Sequence, residues 1–366
     1  MELKKVIISG GGTGGHIFPA IAIANALKDI SPGTEILFVG AKGKMEMEKV
    51  PAAGYNIVGL DIRGLQRGLS LSNLSIPFRL IKAIWQARKI INKFKPQAIV
   101  GVGGYASAAV AYVGAKSGIP VLVQEQNSYP GKTNRFLSKY ASRICVAYPD
   151  MERFFPASKI VFTGNPVRKE IEHLLPDTKQ GLDFFKLDSS KPVLLVFGGS
   201  QGAKALNEGV ENALAAWNEK NIQVLWQTGN SFYQRASELV SNAAYDNVYV
   251  YEFIREMNYA YAAADLVVAR AGAITISELQ VAGKASVLVP LPTAAENHQY
   301  KNAEQLSKRN AALILSNDDC PEKLGQMVLE LIDDKNALHA LETRVKQMAA
   351  FDAAKTIVSE IIAIAK

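Results

Sequence analysis

The chain has 366 residues, of which 48% are apolar and 20% charged, with a formal net charge of +7; this composition excludes a disordered, low-complexity or short-period repeat protein. The length suits two domains of about 100 to 200 residues each. Only Cys145 and Cys320 are present, so neither a disulfide framework nor a paired-cysteine metal site is expected, and no apolar run reaches the roughly 18 residues of a spanning helix.

The first strand-like run, VIIS at Val6 to Ser9, begins almost at the initiator methionine and leaves no room for a secretory leader, so a reducing, cytoplasmic setting is expected. A glycine turn follows, and then a helix is expected from about Ile17 to Lys28. Strands are expected at EILFVG, at AIVGVGG from Ala98 and at PVLVQEQ from Pro120. The plan then repeats with PVLLVFGG from Pro192, IQVLWQTG from Ile222, VYVYEFI from Val248, ADLVVARAG from Ala264 and ASVLVPLP from Ala285. Strands alternating with amphipathic stretches imply βαβ units on parallel sheets.

Lys4 to Gly15 (KKVIISGGGTGG) and Lys191 to Gly202 (KPVLLVFGGSQG) show the same strand, glycine turn and helix start, about half a chain apart. An α/β fold of two Rossmann-like, doubly wound domains is therefore expected. The boundaries are 1–164, with a last helix at 353–366 packing back on it, and 165–352. Ligands in such sheets sit beyond the carboxyl ends of the strands, so two facing sheets would place the site in the cleft between them.

Glycine loops after strands offer unpaired backbone N–H groups and a helix dipole to an anion. Three occur, at Gly10–Gly15, Gly101–Gly104 and Gly198–Gly202. Gly10, Gly12 and Gly15 also match GxGxxG, but the second strand ends EILFVGAKGK, without the acid that holds a dinucleotide ribose. An NAD-dependent oxidoreductase loses its support there, and Lys42 leaves only an NADP variant.

His16, one of four histidines, ends the first loop. It is either a hydrogen-bonded helix-start residue or a base placed for proton transfer near neutral pH. In ARAGAITISELQVAG, Ala269 to Gly283, Thr275 and Glu278 have capping-box spacing. Glu278 thus either closes a helix N-terminus or accepts hydrogen bonds from a ribose diol, and spacing alone does not separate the two.

Between Asp61 and Glu125 no acid occurs, while Arg63, Arg67, Arg79, Lys82, Arg88, Lys89, Lys93, Lys95 and Lys116 supply cations. Leu80, Ile84, Ala87, Ile91 and Phe94 form a helical core stripe. Phe78, Ile81 and Trp85 widen the apolar face, with Arg79, Lys82, Arg88 and Lys89 around it. That pattern suits contact with an anionic membrane surface, or else a packed helix with a basic back. No stacking platform or recognition motif points to nucleic acid.

GGTGGHIFPAIAIA from Gly11, VGVGGYAS from Val100, EQNSYPGKTNR from Glu125, TGNPVR from Thr163, FGGSQGA from Phe197, YEFI from Tyr251, RAGAITISEL from Arg270 and ENHQYKNA from Glu296 together resemble the MurG family. These transferases add N-acetylglucosamine to undecaprenyl-diphosphate-linked muramyl pentapeptide in peptidoglycan synthesis. The resemblance implies a GT-B fold and inverting transfer from UDP-N-acetylglucosamine to the muramyl 4-hydroxyl. It also implies a peripheral place on the cytoplasmic face of the cell inner membrane, and cell-wall synthesis proteins as partners in cell shape and division.

By the same resemblance, Thr13, Gly14, Gly15, Asn127, Arg168, Ser200, Ile254, Ala273, Ile274, Thr275, Ile276, Ser277, Glu278 and Gln299 match the donor-binding set. Ile254 would meet uracil through its backbone, Glu278 would hold the ribose, and Ser200 with the helix start at Ala273 would hold the diphosphate. Gln299, beside His298, would address sugar hydroxyls. Gly14, Gly15, Gly103, Gly104 and Tyr105 would serve the acceptor diphosphate.

His16 is the expected base, with Arg168 stabilising the leaving group and Glu125 transferring a proton or orienting the acceptor. No cofactor and no metal are expected, since no DxD pair occurs and Asp318 and Asp319 sit in a loop, LSNDDCPE. Gln124 stands where relatives carry histidine in HEQN. Competing readings are another GT-B sugar transferase and a non-catalytic UDP-sugar sensor.

Overall fold

The structure, a computed structural model, describes residues 3–62 and 76–365. It divides into two units: the residues up to Val167 together with those from Asp352 onward, and Arg168–Phe351. In the first unit β1 (Lys5–Ser9), β2 (Glu35–Ala41), β3 (Asn56–Leu60), β4 (Ala98–Gly101), β5 (Val121–Glu125), β6 (Arg143–Val146) and β7 (Ile160–Phe162) form a parallel sheet in the order β3-β2-β1-β4-β5-β6-β7. In the second, β8 (Val193–Phe197), β9 (Gln223–Gln227), β10 (Val248–Tyr251), β11 (Leu266–Ala269), β12 (Ser286–Leu288) and β13 (Leu313–Ile314) follow the order β10-β9-β8-β11-β12-β13, again parallel.

Helices cover both faces of such sheets, so the central strands are buried along their length and mostly apolar. Every residue of β4, β5, β8, β9 and β11 is buried. Within the first sheet the pleat sends Ile7, Ile99, Val121 and Val123 to one face, against Ala83, Ala87 and Ile91 of helix Ile76–Phe94. Val6, Ile8, Val100 and Leu122 go to the other face. There they meet Ile23, Ala24 and Leu27 of helix Gly14–Ile30, and Ile357, Val358 and Ile361 of helix Ala353–Ile364. Each fully buried Val, Leu or Ile among them contributes about 1.5–3 kcal/mol. That is how the C-terminal helix belongs to the N-terminal sheet.

Strand order reverses between β1 and β4 and between β8 and β11, and a crevice opens at each such point beyond the carboxyl ends of the strands. The loops after these four strands carry the glycines. Each leads into a helix with no side-chain cap: Gly14–Ile30, Tyr105–Lys116, Lys204–Glu219 and Ala273–Ala282.

The sequence expectations need three amendments. The first helix begins at Gly14 and not near Ile17, so Gly14 and Gly15 form its first turn. Strands β3, β6, β7 and β13 escape the sequence reading, being short or at sheet edges. The buried stripe of helix Ile76–Phe94 is Ala83, Ala87 and Ile91, whereas Leu80 is 44% exposed.

Candidate active site

In the first unit the two glycine loops pack on one another and on a buried acid. A Cβ at Gly10 would strike the Val102 side chain, and one at Gly11 would run into the Glu46 carboxylate. A Cβ at Gly103 would lie 2.7 Å from His16 Nε2, and one at Gly104 2.6 Å from the Gly11 carbonyl. By contrast, a Cβ at Gly12 would meet nothing within 4 Å, and one at Gly15 only the Thr13 hydroxyl at 3.8 Å. Glycine is thus required by internal packing at the first four positions. Gly12 and Gly15 face open space, beside the uncapped first turn of helix Gly14–Ile30.

His16, half-buried, places Nδ1 3.0 Å from the Gly11 carbonyl and 3.5 Å from the Thr13 hydroxyl. Glu46, 1% exposed, accepts from Gly12 N through Oε2 and from Ala41 N through Oε1, each at 2.9 Å. The sequence reading missed Glu46. Tyr105, 49% exposed, stands at the start of helix Tyr105–Lys116.

Glu125 is 1% exposed and wrapped by donors. Asn127 donates to Oε1 through its backbone N and Nδ2, while Gly131 N and Asn134 Nδ2 donate to Oε2, at 2.9–3.2 Å. Burial pushes its pKa up, against the lowering pull of those bonds. Both oxygens clasp the 126–131 loop, and Asn127 is part of the clasp. Gln124 joins a buried amide network, with Nε2 donating to Asn165 Oδ1 at 3.0 Å, while Gln126 bonds Gln124 and the Val102 carbonyl.

In the second unit Arg168 Nε donates to Glu278 Oε1 at 2.9 Å, and Tyr261 O–H donates to Oε2 at 3.1 Å. Burial alone would lower the Arg168 guanidinium, but the Glu278 carboxylate holds it above its ordinary value. Burial, then the Glu278 charge, raises the Tyr261 phenol. The helix is capped at Gly272, which puts Thr275 and Glu278 inside it and removes the capping-box alternative.

Only Ala273, Ile274 and Thr275 lie in the first turn, where amides lack helical partners. Ile276 N already donates to Gly272 O at 3.0 Å, and Ser277 Oγ to Ala273 O at 3.1 Å. The Ile276 amide and the Ser277 hydroxyl are thus engaged by the helix itself. Ile254 N is likewise spent, on Gln227 Oε1 at 2.9 Å, so only its carbonyl is left for a base.

A cavity of about 610 Å³ opens at the carboxyl end of this sheet, lined by Gly198, Gly202, Lys204, Arg270, Leu291, Gln299, Asn317 and Asp318 among others. Ser200 is exposed on the neighbouring loop. Gln299 Oε1 accepts from Leu291 N at 2.9 Å, which leaves its NH2 as the group that can donate to a ligand. Arg270 holds that wall, donating to the Val289 and Pro290 carbonyls and to Asn317 Oδ1. Burial lowers its pKa. His298 Nδ1 donates to Ala295 O at 2.6 Å, and burial lowers this ring's pKa.

On helix Ile76–Phe94, Ile81 and Trp85 are 66% and 64% exposed, with Leu80 beside them. Lys89 Nζ lies 5.7 Å from the Trp85 ring centre. Lys82 is bound at 2.8 Å to Asp61, which also holds Lys42; first Lys82, then Lys42, bring the Asp61 carboxyl to about 2. Arg63, Arg67 and the side chain of Phe78 lie outside the described residues. Among the described residues no helix is long and apolar enough to cross a membrane, and no cluster of three or more His, Cys, Asp or Glu gathers as for a metal.

Residues 6–146 match the glycosyltransferase family 28 N-terminal domain, and residues 193–357 its C-terminal domain. A Cytophaga hutchinsonii protein named UDP-N-acetylglucosamine–N-acetylmuramyl-(pentapeptide) pyrophosphoryl-undecaprenol N-acetylglucosamine transferase is 49% identical over 98% of this chain and 96% of its own. A Parabacteroides distasonis protein of the same name is 48% identical over 100% and 99%. The crystal structure of Acinetobacter baumannii MurG superposes with a TM-score of 0.81 at 33% identity, covering 98% of this chain and 99% of that one. The two sheets are those of a GT-B fold.

Proposed function

The chain belongs to glycosyltransferase family 28, and from that membership we infer that it transfers N-acetylglucosamine from UDP-N-acetylglucosamine to undecaprenyl-diphosphate-linked N-acetylmuramyl pentapeptide. The observation that carries this reading is the end-to-end match to relatives named for that transfer.

The muramyl 4-hydroxyl oxygen attacks the anomeric carbon as the bond from that carbon to UDP breaks. The electron pair leaves with the diphosphate, the configuration inverts, and the hydroxyl proton passes to His16 Nε2. The uncapped helix start at Ala273 and the loop carrying Ser200 meet the diphosphate charge. Arg168 adds a cation, and Glu278, with two acceptor positions used, has capacity for the ribose diol. Gln299 donates to the sugar. Gly14, Gly15 and Tyr105 serve the acceptor diphosphate, while Gly103 and Gly104 make room for His16 and the Gly11 carbonyl. This chemistry calls for no resident cofactor.

The exposed Leu80, Ile81 and Trp85, with Arg79, Arg88 and Lys89 nearby, rest on the anionic cytoplasmic face of the inner membrane, where a lipid-linked acceptor is held. The test is UDP release from UDP-N-acetylglucosamine by wild type and His16→Ala, with and without a short-chain lipid analogue of the acceptor. Acceptor-dependent release that collapses in the variant is expected. Donor binding with no release in either condition would overturn the reading in favour of a UDP-sugar sensor.

A further inference from the structure

We propose that Glu46 is a positioning residue for proton transfer that acts on His16 through a single peptide group. The inference rests on the reading of His16 as the base. The peptide joining Gly11 to Gly12 is engaged at both ends. Its N–H, on Gly12, donates to Glu46 Oε2 at 2.9 Å, and its carbonyl, on Gly11, lies 3.0 Å from His16 Nδ1.

A carbonyl oxygen can only accept, so Nδ1 carries the proton and the neutral ring keeps its lone pair on Nε2. The other Glu46 oxygen accepts from Ala41 N at 2.9 Å. The carboxylate is therefore fixed between two backbone amides, one from the first glycine loop and one at the end of β2, out of water. Hydrogen bonds in a chain polarise one another. Negative charge at the N–H end of the peptide makes its carbonyl a stronger acceptor, and that carbonyl then favours the imidazolium formed when Nε2 takes the hydroxyl proton. The arrangement works as a carboxylate placed directly behind a histidine does, with one peptide inserted between them.

The glycines fit this reading. A side chain at Gly11 would displace the Glu46 carboxylate, one at Gly104 would crowd the Gly11 carbonyl, and one at Gly103 would crowd His16 Nε2. The other titratable groups on the packed elements are Lys28 and Asp29 at the far end of helix Gly14–Ile30, Glu35 at the start of β2, Lys42 and Lys44 after it, Glu48 and Lys49 on helix Glu46–Ala52, and Tyr105, Tyr112 and Lys116 on helix Tyr105–Lys116. Lys42 is itself drawn to Asp61, which Lys82 shares. All of these remain in place when Glu46 alone is changed.

The experiment is a histidine-ring NMR titration of the full chain, wild type against Glu46→Gln, with His16→Ala supplying the assignment. Wild type should show the Nδ1–H tautomer at His16. One charge acting across roughly 7–8 Å, at an effective dielectric between about 80 and 20, should move the His16 midpoint down by about 0.4–1.6 pH units in Glu46→Gln. The acidic limb of kcat/KM should move to lower pH by the same amount, with a several-fold lower plateau and an unchanged donor KM.

A role confined to folding would depress activity at every pH and leave the limb where it was. An unmoved His16 midpoint in a folded Glu46→Gln protein overturns the proposal. So does an Nε2–H tautomer in wild type, which needs no variant at all. Failure of the base reading shows separately, as full activity in His16→Ala while the ring titration in wild type and Glu46→Gln still reports the coupling.

Discussion

Arg168 and Glu278 form one ion pair with unequal ends: the Arg168 side chain is 44% exposed and that of Glu278 only 7%. Losing either partner should therefore have different consequences. Arg168→Met leaves a carboxylate in the interior with Tyr261 as its remaining hydrogen-bond donor. A stranded charge in a fully buried pair costs about 3–5 kcal/mol, and the half-open arginine side admits enough water to bring this to about 2–4 kcal/mol. Glu278→Gln keeps the shape and one acceptor, strands no charge, and lets Arg168 turn to solvent, for a loss of about 1 kcal/mol, one ordinary hydrogen bond.

The double variant should then be more stable than Arg168→Met alone, because it removes the uncompensated charge. Trp217 and Trp226 are wholly buried in this unit, so urea unfolding followed by tryptophan emission reads its transition. Trp85, exposed in the other unit, is replaced by Phe in every sample, and only the midpoint of the second unit is compared because a two-unit chain is not one two-state system. If Glu278→Gln is the more damaging single change, or if the double variant loses the sum of the two, the assignment of the cost to a stranded buried carboxylate is wrong.

Ile81→Ser/Trp85→Ser should weaken sedimentation with anionic vesicles. The two side chains are about two-thirds exposed, their full burial is worth about 4–5 kcal/mol, and half insertion about 2 kcal/mol, roughly 30-fold in partitioning; equal binding by both proteins removes the membrane contact. Gly104→Ala and Gly12→Ala make a matched pair, with φ of +88° and +89°. A positive φ strains an L residue by about 1–3 kcal/mol at either position, but only Gly104→Ala drives a methyl to within 2.6 Å of the Gly11 carbonyl. Its melting temperature should fall further and its activity more, and equal losses in the pair would refute packing as the reason for that glycine.

Strands such as Val193–Phe197, buried on both faces, were legible in the sequence because burial demands an unbroken apolar run. Leu313–Ile314 is too short for a run to register and Arg143–Val146 opens on a charged residue, and their places at or near a sheet edge are set by pairing. His16 could be located from the loop alone. Glu46 could not: KMEMEK offers Glu46 and Glu48 in the same local context, and only the fold brings one of them under Gly12. Tyr261 sits in an alanine-rich run, and Arg168 meets Glu278 across 110 positions, so neither contact leaves a local signal. The Thr275 and Glu278 spacing left a capping box open, and only the structure closes that alternative, because Gly272 supplies the cap and both residues lie inside the helix.

The first glycine loop also shows why a glycine count is a poor guide to a ligand. Glycine gives up more backbone freedom on folding than other residues, so each one needs a neighbour that a side chain would exclude. At Gly10, Gly11, Gly103 and Gly104 that neighbour is internal: Val102, Glu46, His16 and the Gly11 carbonyl. Open approach is left at Gly12 and Gly15, and the Gly12 amide is already held by Glu46. Of this loop and the helix it leads into, it is the first-turn amides of helix Gly14–Ile30, and not the Gly12 amide, that are left to an anion. The loop's own task is to bring a buried carboxylate, a peptide and an imidazole into line.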